Sequence, residues 1–483
     1  MRLGMSEDVR MNVRLFYIYV LITAILVTGG CMVGPDYHRP ELTNVPSEWA
    51  GASENSTNIV QNADLTLWWR QFNDPMLNEL VEEAVKANPD LQMAETQLRQ
   101  ARASRGIAIG GMLPSATGST GFQRLHNAAI DPINSERDLY QAGFDAVWEV
   151  DLFGGIRRGV EAAGANVEAA IENTHDVYVS LIAEVALNYI VLRGVQQQIV
   201  IAQDNLNAQR HTAGITHKLQ EAGFAGALDT ANADAGIAST EAQLPGFESA
   251  ARQSIYTLSV LLGKPPAALL EKLSPVGGIP MAPLEIPAGL PSELLRRRPD
   301  IRKSEAQIHA ATAQIGVAVA QLFPSFSLTG TSNWQSNMLH NWLSDASLSF
   351  SFGPSVNWPI FHGGAIISNI HLQEALRDQA FISYQKTVLA AFQDVENALI
   401  SLKKEQERRK SISDAVAANR RAVDLSLQLY TAGQIDFLNV LVAERSLYTS
   451  EDALVQSERN IATDIISLYK ALGGGWESID VKE

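Results

Sequence analysis

The chain has 483 residues, of which 46% are hydrophobic and 19% charged, and its formal net charge is −16. This composition is typical of an ordered chain, and the length leaves room for about two to four domains. The acidic balance argues against a nucleic-acid partner, because neutralising phosphates requires clustered Lys and Arg, and the one evident basic cluster is Arg296-Arg297-Arg298.

The N-terminus has the order of parts of a signal peptide, which we predict over residues 1–30. Basic Arg10 and Arg14 precede an apolar run from Leu15 to Val27. That run is too short for a membrane-spanning helix, which needs about 20 residues. The sequence therefore predicts an exported chain whose leader is removed.

Cys31 is the only cysteine in the chain, so no disulfide can form within one copy. It follows small residues at the expected cleavage point, and the run Val27-Thr28-Gly29-Gly30-Cys31 resembles a bacterial lipobox. The resemblance implies that Cys31 is lipidated and becomes the mature N-terminus. Because Met32 follows it in place of Asp, the resemblance also implies sorting to the outer membrane. A chance cysteine after an ordinary signal peptide is the alternative.

The rest of the chain repeats itself with an offset of 210 residues. Asn88-Pro89-Asp90-Leu91 returns as Arg298-Pro299-Asp300-Ile301, and Ala222-Gly223 returns as Ala432-Gly433. The register is expected to slip by one residue where Phe153-Gly154-Gly155 is matched to His362-Gly363-Gly364. A duplication of this length predicts two copies of one supersecondary unit. The predicted organisation is an extended leader (31–63), a first repeat (64–263), a Pro- and Gly-rich connector (264–292), a second repeat (293–473) and a tail (474–483).

Each repeat is predicted to contain one β-hairpin, at about 115–152 and about 325–360. Ser325 to Trp334 and Ser347 to Trp358 alternate small polar with larger apolar residues, and Phe144 to Leu152 does the same. Period two over about ten residues is typical of a transmembrane β-strand. A soluble hairpin with one dry face is the alternative, but Trp334 and Trp358 near the strand ends suit a membrane interface.

Four strands cannot close a barrel, and open strand edges are not tolerated in lipid. A barrel that spans a membrane must therefore be shared between copies of the chain. Three copies would supply twelve strands and begin to leave a lumen. The side chains expected to face that lumen are Ser, Thr, Asn, Asp and Glu, so the sequence predicts a trimeric pore with a wet interior.

A long helix is predicted after each hairpin, from about Ile156 to Glu221 and from about Ala365 to Thr431. Apolar residues along it recur every 3.5 to 3.6 positions, roughly as in coiled coils, and about 65 residues would reach roughly 100 Å. Each helix stops at an Ala-Gly pair, where Gly can take a left-handed cap conformation. The chain is then expected to return as one second helix, to about Gly263 and about Gly473.

These features together resemble the TolC-like outer-membrane efflux channels, most closely their NodT-like or OprM-like lipoprotein subgroup. The resemblance covers nearly the whole mature chain. It is carried by Cys31-Met32-Val33-Gly34-Pro35-Asp36-Tyr37, Trp68-Trp69, Asp74-Pro75-Met76-Leu77, Asn88-Pro89-Asp90-Leu91, Asp151-Leu152-Phe153-Gly154-Gly155, Arg297-Arg298-Pro299-Asp300-Ile301 and Tyr430-Thr431-Ala432-Gly433.

The resemblance implies an α+β membrane protein, with duplicated long α-helical hairpins that form a periplasmic coiled-coil barrel. Four transmembrane strands per chain would form a shared twelve-stranded trimeric β-barrel. It also implies an exit duct, held in the outer membrane of a Gram-negative bacterium, that passively conducts small molecules. The implied partners are a periplasmic adaptor, an inner-membrane RND-type pump and outer-membrane lipid, and the channel itself would catalyse nothing.

The tips of the helical hairpins carry adaptor contacts and the closing constriction in this family. Gly223, Phe224, Gly433 and Gln434 are therefore candidate adaptor contacts. A ring of carboxylates at the narrow end would favour cations and could open by protonation or by pairing with Arg. The candidate gate residues near the turns are Asp229, Asp436, Glu444 and Arg445.

The sequence shows no pattern typical of catalysis or of a bound cofactor. Its nine His residues have no metal-ligand spacing, and no Ser/His/Asp arrangement stands out. Two alternatives to a small-molecule duct remain open. One is a coiled-coil surface lipoprotein that acts as an adhesin or envelope spacer, and the other is a duct for protein export or metal efflux.

Overall fold

The structure is a computed structural model that describes residues 32–41, 46–50, 65–126, 136–283 and 291–478. The predicted signal peptide, Cys31, most of the predicted leader and the end of the predicted tail lie outside these residues. The chain divides into two compact units. Of the described residues, those within 32–41, 98–170 and 303–384 form the sheet unit, and those within 46–97, 171–302 and 385–478 form the hairpin unit.

The elements follow one order in both repeats: a helix, two strands, a very long helix and a returning helical segment. The first repeat contains α1 (Pro75–Ala87), α2 (Pro89–Gly110), β1 (Ser115–His126), β2 (Glu136–Val150), α3 (Gly155–Glu221), α4 (Ala227–Glu241) and α5 (Leu244–Leu261), and the short α6 (Leu270–Leu273) lies in the connector. The second contains α7 (Pro291–Arg297), α8 (Pro299–Ala320), β3 (Ser325–Ser336), β4 (Leu348–Asn357), α9 (Ala365–Thr431) and α10 (Phe437–Ala471).

The four strands form one antiparallel sheet in the order β1-β2-β3-β4. Because side chains alternate across a strand, the register divides the sheet into an apolar and a polar face. The predicted period-two pattern is confirmed. The apolar face carries Phe122, Phe144, Trp148, Leu328, Trp334, Phe350 and Phe352, whereas the polar face carries Thr117, Asp145, Glu149, Thr331, Asn333, Ser349 and Ser351.

Equivalent tryptophans in the two repeats make the same hydrogen bond, as the duplication in the sequence predicts. The indole of Trp148 donates to the carbonyl of Met112 at 3.0 Å, and that of Trp358 donates to the carbonyl of Leu322 at 3.2 Å. Each bond ties the end of a strand to the turn that follows the preceding helix, 210 residues apart. At this strand end the two repeats are therefore equivalent, down to a single hydrogen bond.

The predicted one-residue slip between the repeats is wrong. The long helices begin at Gly155 and Ala365, which keep the offset of 210. The preceding residues, Gly154 and Gly364, share a left-handed backbone with φ of 81° and 83°. Gly363 also has a positive φ, so it is an additional glycine before the joint and not the counterpart of Gly154.

The hairpin unit has a core formed by the middle of the long helices. Val185 and Val395, which are equivalent in the two repeats, are fully buried. Among the described residues, α3 alone has a segment long and apolar enough to cross a membrane, but 67% of that segment is buried inside the protein. This burial is typical of a core helix.

The returning segment differs between the repeats, and the expectation of one return helix is wrong for the first. There α4 ends at Glu241 and α5 begins at Leu244, with Pro245 in its first turn. Pro has no N–H to donate and its ring crowds the preceding turn, so it cannot stand inside a regular helix. The equivalent position in the unbroken α10 is Val455, which is buried.

We expect Gly143→Val to destabilise the junction between β2 and β3. A Cβ at Gly143 would lie 1.8 Å from Asn333 Oδ1 and 2.9 Å from the carbonyl oxygen of Ser332. Overpacking of this kind costs about 1–3 kcal/mol. The temperature at which the purified protein loses its native gel mobility should fall. Gly330→Val is the matched control on the inner strand β3, because a Cβ at Gly330 meets only Phe352 Cβ at 4.0 Å; an equal loss in both variants would contradict the packing argument.

Candidate functional site: the tips of the helical hairpins

Each long helix ends in the same cap, formed at the two predicted tip glycines. Gly223 and Gly433 have left-handed φ angles of 80° and 73°. The N–H of Phe224 reaches the carbonyl of Leu219 at 2.8 Å, and the N–H of Gln434 reaches that of Leu429 at 2.9 Å. This bond, from the residue that follows the left-handed glycine, is the signature of a Schellman cap, which a residue with a Cβ at the glycine position would strain.

The residues after the cap start the return helices in two different ways. In the first tip, Asp229 accepts a hydrogen bond from the N–H of Gly226 at 3.1 Å, so its carboxylate serves a local turn. In the second tip, Asp436 is the N-cap residue of α10, yet its side chain makes no capping bond and is exposed. Of these two predicted gate carboxylates, Asp436 is therefore the one left open to solvent.

The two tips pack on each other through an apolar cluster, here called the tip cluster. Its members come from α3, α4, α9 and α10: Ala213, Ala233, Tyr430, Phe437 and Val440. The rings of Tyr430 and Phe437 lie 5.5 Å apart. The tip cluster thus fixes the second turn against the first, and the predicted tip residues of both repeats are brought together at one end of the hairpin unit.

A row of buried polar groups runs beside the tip cluster. Thr212 Oγ1 donates to Glu444 Oε1 at 2.6 Å, Thr216 Oγ1 donates to the carbonyl of Thr212 at 3.0 Å, and Tyr430 Oη donates to Thr216 Oγ1 at 3.4 Å. Glu444 is only 6% exposed. Burial raises the pKa of the Glu444 carboxyl, and the hydrogen bond from Thr212 opposes that rise.

The predicted gate residues do not form one group. Glu444 is buried between helices of its own chain, whereas its neighbour Arg445 is exposed and makes no ion pair within the described residues. The predicted pairing of Arg445 with a gate carboxylate is therefore absent within one copy. Adjacent helical positions point about 100° apart, which is the physical reason for this separation.

The outer surface of the tips is apolar. Phe224 and Leu228 of the first tip and Leu438 and Val442 of the second are all more than half exposed, with Phe224 at 83%. Gln434 is also exposed. Exposed apolar side chains in a cluster of this kind are characteristic of a surface that binds another protein.

Sequence reasoning missed Thr212, Thr216 and Phe437. The two threonines stand four residues apart on the apolar seam of α3, and that spacing of hydroxyls on a buried helix face was the available signal. Across the described residues, no group of three or more His, Cys, Asp or Glu side chains could hold a metal ion.

Local opening of the helices around Glu444 at the tips should depend on pH, and we expect Glu444→Gln to weaken that dependence. A carboxyl whose pKa is raised in the folded state binds more protons there than in the unfolded state. Its effect on stability is therefore absent below the usual glutamate pKa and becomes unfavourable as pH rises through the raised value. The amide keeps an acceptor for Thr212 without a charge, so at pH 7 the tips should open less often.

Hydrogen–deuterium exchange of peptides covering residues 208–232 and 427–445, between pH 5 and 8, measures this. Glu221→Gln is the control, since it removes an exposed charge beside the first tip from a residue that is not a candidate gate residue. Equal pH dependence in the wild type and in Glu444→Gln, after correction for intrinsic exchange, would contradict the interpretation.

Comparison with known proteins places this architecture in a family. The model of the outer membrane efflux protein family matches residues 80–264 and 290–474, two ranges that are themselves 210 residues apart. Nodulation protein T of Rhizobium leguminosarum bv. viciae is 32% identical over 93% of this chain and 92% of its own length. The pyoverdine export outer membrane protein OpmQ of Pseudomonas aeruginosa is 33% identical over 95% of this chain and 97% of its own length.

The solved structure of the outer-membrane channel OprN superposes with a TM-score of 0.86 and 36% identity, covering 92% of this chain and 100% of that one. The predicted α+β channel fold, with duplicated helical hairpins and four strands per chain, is thereby confirmed. The chain belongs to the outer membrane efflux protein family and is an outer-membrane channel that serves as an exit duct for efflux.

Proposed function

We propose that three copies of this chain close a twelve-stranded barrel in the outer membrane, and that the trimer is the exit duct of a tripartite efflux system. The observation that carries the proposal is the sheet itself. It has an apolar face suited to lipid, a polar face suited to a wet lumen, and one unpaired edge at each side. A sheet of this kind can enter a bilayer only when further strands close it.

The proposed partners are a periplasmic adaptor and an inner-membrane pump of the RND type. The apolar tip surface, with Phe224 and Leu438 exposed, supports an adaptor contact at Gly223, Phe224, Gly433 and Gln434. The left-handed caps at the two glycines give each tip a tight, fixed turn for that contact. Energy for transport would come from the pump, and the duct would conduct small molecules passively, without any catalytic step of its own.

No specific observation favours the other candidate functions. An adhesin or spacer would need no apolar sheet face, and family membership favours the duct. For a metal-efflux duct, the described residues hold no side-chain group suited to a metal ion, and the name of OpmQ supports small-molecule cargo. We therefore propose small molecules such as drugs or toxic compounds as the cargo class.

The mass of the purified protein in detergent and its conductance in planar bilayers test the proposal. We expect a particle three times the mass of one chain, with small and mostly closed currents. A monomer without conductance would contradict both the shared barrel and the proposed duct.

We expect Asp436→Asn to increase the time the channel spends open, at least twofold. In a trimer, three exposed carboxylates near the tips can hold cations or partner groups at the narrow end, and neutralising them removes that constraint. Single-channel recording at pH 7 gives the open fraction. Asp414→Asn, an exposed carboxylate along α9, is the matched control; an unchanged open fraction in Asp436→Asn would exclude Asp436 from the gate.

We also propose that Cys31 carries the lipid anchor of the mature chain. Cys31→Ser should abolish incorporation of labelled palmitate and lower the mass of the mature N-terminal peptide by the acyl groups. Thr28→Ser is the control, because it changes a neighbouring residue and keeps the thiol of Cys31. Equal labelling of the wild type and Cys31→Ser would exclude this site of acylation.

A further inference from the structure

The loop between β3 and β4 has an exposed apolar surface. It spans residues 337–347, at the end of the sheet remote from the helices, and contains Met338, Leu339 and Leu343. Their side chains are 57%, 62% and 67% exposed. Large apolar side chains grouped in this way mark a surface that another molecule covers. Neither conduction through the duct nor the adaptor contact at the tips explains them.

This loop has a defined local structure. It contains two short 3-10 turns, Leu339–Asn341 and Asp345–Ser347. The hydroxyl of Ser347 donates to the carbonyl of Trp342 at 2.6 Å and so joins the second turn to the end of the first. The exposed side chains are therefore presented from a folded backbone.

The loop packs on the apolar face of the sheet. The ring of Trp342 lies 6.3 Å from that of Tyr140, which in turn lies 5.0 Å from that of Phe122. Tyr140 and Phe122 stand opposite each other in the register, and Tyr140 is on the same face as Phe144 because side chains alternate along β2. The loop thus bends toward the face suited to lipid and away from the face suited to the lumen.

The first hairpin shows where the apolar face ends. The next pair beyond Phe122 and Tyr140 on this face is Arg124 and Asp138, whose side chains are joined by hydrogen bonds of 2.8 and 3.2 Å. Charged side chains on the lipid face are tolerated at the interface and costly inside the hydrocarbon. The boundary of the apolar band therefore lies just beyond Tyr140, and Trp342 packs at that boundary.

The strands of the second hairpin do not reach this level with apolar residues. Opposite Tyr140, β3 supplies Ser336. The apolar residues of β3 extend from Phe326 to Trp334, and this stretch rises roughly 20 Å along the membrane normal at a typical strand tilt, short of the usual band of about 25 Å. The corresponding stretch of β2, from Tyr140 to Val150, rises roughly 25 Å. The second hairpin needs further apolar surface at its outer end.

We propose that the β3–β4 loop lies in the outer leaflet of the membrane, with Met338, Leu339 and Leu343 among the acyl chains. The inference rests on the proposed function, because lipid surrounds the sheet only if the sheet spans the membrane. Three observations favour lipid as the partner: continuity with the apolar face, the missing height of β3, and Trp342 at the boundary, where amphipathic rings are favoured. A loop held against the outside of the barrel does not cover its outer mouth.

Quenching of a fluorescent probe by spin-labelled lipid tests the position of the loop. Leu343→Cys is labelled with a small environment-sensitive fluorophore and reconstituted in phosphatidylcholine vesicles that contain a lipid with a nitroxide on the upper part of one acyl chain. We expect this lipid to quench the probe at least about half as strongly as a probe at Phe352→Cys, with little quenching by iodide in the water. Leu339→Cys should behave in the same way.

Two positions on β4 serve as matched controls. Phe352, on the apolar face, is 82% exposed in one chain and should respond to the lipid quencher. Ser349, on the polar face, should respond to iodide. Labelled wild-type protein reports any probe attached to Cys31, and the mass of each variant in detergent shows that it has assembled.

The possible results separate the two levels of the proposal. If lipid quenches the probe at Phe352 but iodide alone quenches those at Leu339 and Leu343, the loop is in water; the inference is then overturned and the duct stands. Loop probes that neither agent quenches would show that protein covers them, which also overturns the inference. A probe at Phe352 that lipid does not quench would place the sheet outside the bilayer and overturn the proposed function together with the inference.

Discussion

Hydrogen bonding of strand edges in lipid is the constraint on which the rest of this structure depends. A helix satisfies its backbone within itself, but a strand depends on its neighbours, and β1 and β4 each lack one. One chain therefore cannot complete its own membrane segment. Because the chain is duplicated, the junction between its two hairpins, where β2 meets β3, joins two equivalent units. The proposed barrel needs further junctions of that kind between copies.

The helices are tied to that sheet by short joints with little freedom. Gly154 and Gly364 take left-handed backbone conformations immediately before α3 and α9, and the indoles of Trp148 and Trp358 hold the strand ends to the turns after α2 and α8. A change in sheet register would therefore move the helices that follow. Leu372 on α9 is 55% exposed, so part of the apolar surface of this helix is uncovered in a single chain.

Most of the fold could be predicted because its signals are long and periodic. Ten residues of period two and more than sixty of helical period outweigh local exceptions. The predicted bounds of β3, β4, α3 and α9 therefore lie close to the observed ones. The break before α5 was missed, although Pro245 marks it, because the repeat suggested one continuous return helix. The predicted slip near Gly363 came from aligning the two Gly-Gly pairs by residue type. The φ angles show instead that Gly364 is the counterpart of Gly154.

The candidate site was harder to predict, because a carboxylate near a turn has the same sequence signal whether it is exposed or buried. Glu444 and Asp436 look alike in sequence, yet one accepts a hydrogen bond from Thr212 inside the protein and the other is exposed. Which side of α10 faces α3 depends on contacts between residues more than two hundred positions apart. No local pattern contains that information.

The interrupted return helix of the first repeat has a consequence for any partner. Two nearly equal repeats would give a ring of three chains six similar tips, and a partner could bind all six alike. The break at Ala242-Gln243, absent from α10, gives the return segments of the two hairpins different backbones. In the proposed trimer, identical partner molecules that bind the two kinds of hairpin would therefore meet two different surfaces.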